Sequence, residues 1–231
     1  MTPLSPEELQ IIGLSLKVAL TATAFSLPPG IALAYLLSRH DFPGKALLSG
    51  LTHLPLILPP VVTGYALLLL FGRNGPLGSW LEPMGIVFAF DWTGAALAAA
   101  VMGFPLLVRA VSLSFDMIDP RIERAAETLG ATPLIRFLTI TLPLALPGIA
   151  AGAVLAFAKA LGEFGATITF VSSIPGETRT LPLSIYSLTQ VPGGEAAALR
   201  LVLISVAVSI GALLVSEWVA RTAARRVGRT A

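Results

Sequence analysis

Apolar and polar positions divide the chain into five long apolar stretches separated by shorter polar ones. A transmembrane helix needs about 20 consecutive residues that are mostly apolar. The predicted spans cover residues 10–37, 46–72, 93–115, 142–163 and 197–220. The pattern predicts an all-α membrane protein, a bundle of about five transmembrane helices in a single transmembrane domain over residues 1–231.

The composition supports this prediction. Hydrophobic residues make up 55% of the 231 positions and charged residues 12%, against about 25% charged in a typical soluble domain. The chain has no cysteine, which excludes disulfides, thiolate metal sites and cysteine nucleophiles. The first span follows a flank without Lys or Arg and is too long for a signal peptide, so we expect it to be retained.

The basic residues predict the orientation, because loops on the cytoplasmic side carry an excess of Lys and Arg. With the N-terminus outside and the C-terminus inside, the outer regions hold only Arg73 and Arg179. The inner regions hold ten basic residues, namely Arg39, Lys45, Arg109, Arg121, Arg124, Arg136, Arg221, Arg225, Arg226 and Arg229. The loop over residues 116–141 is therefore predicted to be cytoplasmic.

Proline residues interrupt the second span, where Pro59 and Pro60 precede Thr63 and Gly64. An interior proline removes a backbone hydrogen bond and bends the helix. Broken helices are tolerated in membranes where protein or a water-filled cavity surrounds them. The pair therefore indicates the wall of a transport pathway, although packing kinks remain an alternative.

Two ionisable residues near the end of the fourth span, Lys159 and Glu163, share one helix face because they lie four residues apart. They are either a mutually neutralised pair that orients helices, or part of a gate near the outer mouth. In the following outer loop, Thr180 is a candidate N-cap of a short helix. Leu181, Ile185 and Leu188 of this helix are predicted to lie along the outer membrane surface.

The cytoplasmic loop carries two helix-start signals in succession. Asp119-Pro120 predicts an N-cap with proline in the first turn, and Thr132-Pro133 repeats the signal. Gly130 stands where a left-handed helix C-cap belongs. Between them, Ile122, Ala125, Ala126 and Leu129 are spaced to form one apolar face. Such a face suits docking into a groove of a partner, or alternatively a lipid surface.

The spacing in this loop resembles the EAA motif of ABC importer permeases. Ala125-Ala126, Gly130, Ile140 and Leu142-Pro143 occupy the family positions. Arg124 replaces the first Glu of the motif, and Glu123 stands one residue earlier. The resemblance implies a coupling loop that docks on an ATP-hydrolysing subunit, formed by Glu123, Arg124, Ala125, Ala126, Glu127, Leu129, Gly130, Ile140 and Pro143.

Nearly the whole chain is similar to the permease subunits of molybdate importers, on the segments LPLILPPVVTGYALL and LAFAKALGEFGATITF. The resemblance implies a multi-pass protein of the prokaryotic inner membrane with four kinds of partner. These are a second copy of the chain, two ATP-binding cassette subunits that hold ATP and Mg²⁺, an external binding protein, and molybdate. It implies no nucleic acid, and no metal or cofactor on this chain.

Several alternatives stay open. PGKA at 43–46 lacks the upstream glycine and the Ser or Thr of a phosphate-binding loop, so ATP hydrolysis is expected on another chain. The resemblance implies molybdate as the transported anion, with sulfate and tungstate as alternatives. A channel or secondary transporter that works alone, or an intramembrane hydrolase built on Ser15 and His53, are hypotheses of other classes. The candidate pathway residues are Pro59, Pro60, Thr63, Gly64, Lys159 and Glu163.

Overall fold

The computed structural model describes residues 4–227, with side chains described for residues 4–215 and Trp218. Every regular element in this part is helical. The elements are α1 (Pro6–Arg39), α2 (Lys45–Ile57), α3 (Pro60–Phe71), α4 (Gly78–Leu81), a 3₁₀ turn (Glu82–Met84), α5 (Trp92–Asp116), α6 (Pro120–Thr128), α7 (Pro133–Arg136), a π-helical turn (Phe137–Thr141), α8 (Leu142–Leu161), α9 (Gly165–Val171), α10 (Leu181–Thr189) and α11 (Glu195–Val227).

Four helical stretches are long and apolar enough to cross a membrane, at Pro6–Arg39, Trp92–Asp116, Pro133–Leu161 and Glu195–Val215. The predicted second span is broken at its Pro-Pro pair, as the sequence indicated. It is divided into α2 and α3, whose axes differ in direction by 114°. Leu58 is extended, as expected before a proline, and Pro60 opens α3 at a position where its missing N–H costs nothing. By contrast, α1 runs through Pro28 and Pro29 without interruption.

Helix α5 packs between α1 and α8 at the centre of the bundle. Small residues allow this approach. A Cβ at Gly103 would lie 3.1 Å from the carbonyl oxygen of Ala156, and one at Gly148 would lie 2.2 Å from Cβ of Ser114. Leu107 of α5 is fully buried and would meet a Cβ at Gly152 of α8 at 3.0 Å. Helix pairs in lipid depend on such close van der Waals packing, since lipid tails are as apolar as leucine.

The two ends of the bundle separate the basic residues as predicted. Arg39 lies with Ile118 and Glu123 at one end. Arg73 lines the same cavity as Glu177 at the other end, where Arg179 also lies near Glu7. Which end faces the cytoplasm stays a prediction. The side chains of Arg221, Arg225, Arg226 and Arg229 lie outside the part that is described.

The short helix α10 differs from its predicted setting in two respects. Thr180 stands at the N-cap position but its side chain accepts no capping hydrogen bond. Instead, Ser15 of α1 accepts a hydrogen bond from the backbone N–H of Leu181 at 2.8 Å. The apolar side of α10 packs on Ile11 of α1 and Leu201 of α11. That side is therefore covered by protein and does not lie on a lipid surface.

The packing of α8 on α5 predicts a size limit at Gly148. We expect Gly148→Ala to lower the free energy of unfolding by about 1–3 kcal/mol, because the added methyl group overlaps Ser114. The matched control is Gly211→Ala in α11, where a Cβ would meet no atom within 4 Å. Thermal unfolding of the purified protein in detergent measures both. Equal midpoints for the two variants would contradict the tight contact.

Candidate functional site: the polar loop and the helix breaks

The loop over residues 116–141, called the polar loop below, folds into α6 and α7 through the predicted caps. Asp119 accepts a hydrogen bond from the backbone N–H of Arg121 at 2.9 Å. At the other end of α6, Gly130 has a φ of 84°, a region that glycine adopts without strain. The N–H of Gly130 donates to Glu127 and that of Ala131 donates to Ala126, which is the Schellman pattern of helix termination.

The second helix of the loop begins where Thr132 accepts a weak hydrogen bond from the N–H of Ile135, at 3.4 Å. From Pro133 the chain stays helical to Leu161, through the π-helical turn. The predicted second helix of the loop is thereby confirmed, and it continues into a stretch long and apolar enough to cross a membrane. Ile140 and Pro143 lie half-buried in this continuous stretch. At about 1.5 Å per residue, its 29 residues connect the polar loop to the far half of the bundle.

Glu123 faces the bundle from α6. Its carboxylate accepts a hydrogen bond from the Thr141 hydroxyl at 2.8 Å and lies 3.3 Å from the guanidinium of Arg39. Arg39, the last residue of α1, also donates to the carbonyl oxygen of Ile118 at 3.4 Å. These contacts tie α6 to α1 and to the helix that continues into α8. No local pattern in the sequence signals them, because Arg39 lies far from Glu123 along the chain.

The predicted apolar face of α6 is divided by this arrangement. Ala126 is buried against the bundle, whereas Ile122 is 45% exposed and Leu129 is 88% exposed. Arg124 and Ala125 are exposed as well. An ion pair between Glu127 and Arg136 joins α6 to α7. The loop therefore holds a polar side toward its own bundle and presents large apolar side chains outward.

The candidate pathway residues lie where two helix breaks meet. A Cβ at Gly64 would lie 2.4 Å from the carbonyl oxygen of Ala166, and one at Gly165 would lie 2.6 Å from Cβ of Pro60. The start of α3 thus contacts the start of α9. Thr63 is buried, and among the described residues its hydroxyl has no hydrogen-bond partner. Pro59, in contrast, is exposed.

Lys159 and Glu163 form the predicted ion pair, with the ammonium 2.5 Å from one carboxylate oxygen. The other oxygen of Glu163 accepts a hydrogen bond from the backbone N–H of Ala166 at 2.9 Å. Glu163 therefore joins the end of α8 to the start of α9 across the break. The sequence indicated the carboxylate and the flanking glycines. It contained no signal for Ala166 as the partner, because that contact depends on how the chain turns after Leu161.

At the opposite end from the polar loop, a cavity of about 770 Å³ is lined by Arg73, Asp91 and Glu177 among others. Asp91 caps α5 by accepting the N–H of Thr93 at 2.8 Å. Burial raises the pKa of the Asp91 carboxyl, but the hydrogen bonds from Thr93 and the positive charge of Lys17 outweigh burial and leave this pKa below its ordinary value. Lys17 in turn lies 3.4 Å above the ring of Trp92.

The residues of the hydrolase hypothesis are not brought together by any hydrogen bond. Ser15 donates to Ile11 and accepts from Leu181, so both roles of its hydroxyl serve the packing of α1 on α10. His53 contacts the carbonyl oxygen of Ser49, one turn earlier in α2. Within the described residues, no group of three or more His, Asp or Glu side chains is arranged to hold a metal ion.

Comparisons with known proteins identify close relatives. The chain is 59% identical to the molybdenum transport system permease protein ModB of Escherichia coli K12, over 98% of this chain and 99% of the relative. It is 52% identical to ModB of Haemophilus influenzae, over 96% and 97%. The sulfate transport system permease protein CysT of Escherichia coli K12 is 37% identical over 79% of this chain and 66% of the relative.

Solved structures share the fold at low sequence identity. A bacterial ABC transporter for import of the polysaccharide alginate has a TM-score of 0.75 at 19% identity, and covers 95% of this chain and 80% of its own. The MetNI methionine ABC transporter has a TM-score of 0.71 at 16% identity, covering 95% and 99%. The family model described as binding-protein-dependent transport system inner membrane component matches residues 26–228. The chain therefore belongs to this family of inner-membrane transport proteins, and its bundle of helices has the fold of an ABC importer permease.

Proposed function

We propose that this chain is the permease subunit of an ATP-driven importer that moves molybdate across the inner membrane. The observation that carries the proposal is the outward apolar face of α6, held on a polar loop by Glu123. Molybdate is proposed because the two relatives above 50% identity are named for molybdenum transport. The relative named for sulfate transport matches less of the chain at lower identity.

The exposed face of α6 fits a docking helix for a separate ATPase subunit. Burying apolar side chains gains about 25 cal/mol per Å² removed from water, and Leu129 leaves most of its surface available. A short helix that lays such a face into a groove is a common mode of recognition. ATP and Mg²⁺ belong on that partner, since this chain lacks a phosphate-binding loop.

The charges of the loop have separate roles in this proposal. Glu123 is engaged inside the permease by Arg39 and Thr141, so it is not available to a partner. Arg124 is exposed beside the apolar face. The partner therefore meets a guanidinium at the motif position where other family members present a carboxylate.

Movement of α6 is transmitted along connected helices. Glu123 links α6 to the end of α1 and to Thr141, and the helix that contains Thr141 continues to Leu161. Glu163 then links that helix to α9, which contacts α3. A displacement imposed by an ATPase subunit at the loop would reach the helix breaks through these contacts alone. Pro60, Gly64, Lys159 and Glu163 are the residues we assign to the gate.

The complete importer requires a second copy of this chain, two ATPase subunits and an external binding protein. One face of α3 supports the second copy, since Val61, Tyr65 and Leu69 recur every four residues and are all about half exposed. Symmetric dimers place such a face around a shared axis, where the pathway would run. Neither a metal nor a cofactor is assigned to this chain itself.

The function is tested by uptake into vesicles that contain the whole complex. We expect ATP-dependent accumulation of molybdate that requires the binding protein, and weaker competition by sulfate than by tungstate because sulfate is the smaller tetrahedral anion. Uptake that needs no ATP would indicate a channel or secondary transporter. Sulfate accumulation that excess molybdate leaves unchanged would assign sulfate as the substrate.

The docking face predicts that Leu129→Ser weakens binding of the ATPase subunit. Loss of a buried leucine removes about 1.5–3 kcal/mol, which corresponds to a dissociation constant raised about 10- to 200-fold. Co-purification and molybdate uptake measure the effect. The matched control is Leu47→Ser, an exposed leucine in the first turn of α2, for which both should stay unchanged. A similar loss in both variants would count against a specific docking site.

The contact between Glu123 and Arg39 predicts a loss of coupling. We expect Glu123→Gln to reduce uptake per ATP hydrolysed while the ATPase subunit still binds, because α6 is no longer tied by charge to α1. Arg39→Gln and the double variant complete a mutant cycle, with an interaction of about 0.5–3 kcal/mol in stability. Strictly additive effects on both stability and coupling would contradict the proposed linkage.

A further inference from the structure

Arg109, counted above among the basic residues of the inner side, carries an exposed guanidinium within α5, a helix long and apolar enough to span the membrane. It lies seven residues before Asp116, the end of α5, and therefore about 10 Å from that end. Within the described residues, its guanidinium has neither a hydrogen-bond nor an ion-pair partner. A charge at membrane depth is costly, and where one persists it marks an ion pathway or reaches the headgroups. The position of Arg109 on α5 decides between these two settings.

The face of α5 that carries Arg109 is buried on the N-terminal side of Arg109 and exposed on its C-terminal side. Ala98, Met102 and Pro105 precede Arg109 on this face at helical spacing, and all three are buried. Ala98 and Met102 belong to the same packed cluster as Leu67 of α3 and Phe170 of α9. Below Arg109, Leu113 is exposed. Arg109 is thus the first exposed residue on this face, after a buried stretch whose Ala98 and Met102 pack in the cluster that includes residues of α3 and α9.

We propose that the Arg109 guanidinium contacts the transported tetrahedral oxyanion after it has passed the helix breaks. This inference rests on the proposed function, since it takes the anion to move between α3, α9 and their copies. The planar fork of N–H donors of an arginine matches the oxygens of an oxyanion. Water reaches an exposed guanidinium, so the contact is weak enough to release the anion toward the polar loop.

A lipid phosphate offers the same chemistry from a different source. The side chain of Arg109 is long enough to extend toward headgroups about one and a half turns away. The two sources differ in surroundings. A guanidinium on the pathway is reached by water and by small ions inside the assembled complex. A guanidinium bound to lipid phosphate lies at the outer boundary of the complex and is insensitive to the transported anion.

The absence of cysteine from the chain allows a direct test. In the Arg109→Cys variant the permease carries a single thiol. The whole complex, with a cysteine-free ATPase subunit, is placed in vesicles and treated with membrane-impermeant methanethiosulfonates from the ATPase side. We expect the thiol to react, and molybdate to slow the reaction. Uptake by the unmodified Arg109→Cys variant should be about tenfold lower than that of the original complex, as for the loss of one charge-assisted hydrogen bond. Modification of this variant with the trimethylammonium reagent should restore uptake, whereas modification with the sulfonate reagent should not.

Two further variants separate this role from a general effect of charge. Arg109→Lys keeps the cation and should retain uptake within about threefold, given the loss of the fork geometry. Lys45→Cys removes a half-exposed cation in the first turn of α2, where Lys45 pairs with Asp41. Its uptake should match that of the unmodified complex before and after either reagent.

Specific results would overturn the inference. Normal uptake by Arg109→Cys, or labelling only by a membrane-permeant maleimide, would place the guanidinium in lipid and assign the phosphate headgroup as its ligand. Labelling that no oxyanion slows would also exclude the contact. If the unmodified complex accumulates sulfate and no molybdate, and sulfate slows the labelling, then the proposed substrate is wrong while the role of Arg109 holds for that anion.

Discussion

A backbone N–H or C=O that loses its partner inside a bilayer finds no water to replace it, and this constraint determines how the chain interrupts its helices. The interruptions at residues 58–59 and 162–164 lie next to each other in space. Pro59 and Pro60 remove two of the donors at the first break. At the second, the carboxylate of Glu163 accepts the free N–H of Ala166. Gly64 of α3 and Gly165 of α9 bring the two breaks into close contact.

The same breaks are mechanically connected to the polar loop. Continuous helix from Pro133 to Leu161 joins the two regions, and α5 holds that helix against α1 through residues without large side chains. Tightly packed helices move as rigid bodies or slide past each other over small distances. If an ATPase subunit displaces the loop as proposed, a structure built in this way would transmit the displacement with little loss, since continuous helix joins the two regions.

Features with local causes were predictable from the sequence, and features with distant causes were not. Asp119 and Thr132 cap the starts of α6 and α7, and Gly130 follows the end of α6, as predicted, because a cap depends on a few neighbouring residues. The prolines of the second span indicated a break. A hydropathy pattern carries no information on the angle between the two helices, so the bend of 114° between α2 and α3 could not be predicted. Thr180 lost the expected capping role to Ser15, which lies far away in sequence. Arg39 and Glu123 were likewise separated by too much chain to be paired in advance.

The attachment of α6 to its own bundle has a consequence for assembly. A recognition helix that is disordered before binding must lose conformational entropy at the moment of contact, which weakens the complex. Here Glu123, its cap at Asp119 and the turn at Gly130 order the helix within the isolated permease. A partner that docks on α6 as proposed would therefore meet a preformed surface, and most of its binding free energy would remain available as affinity.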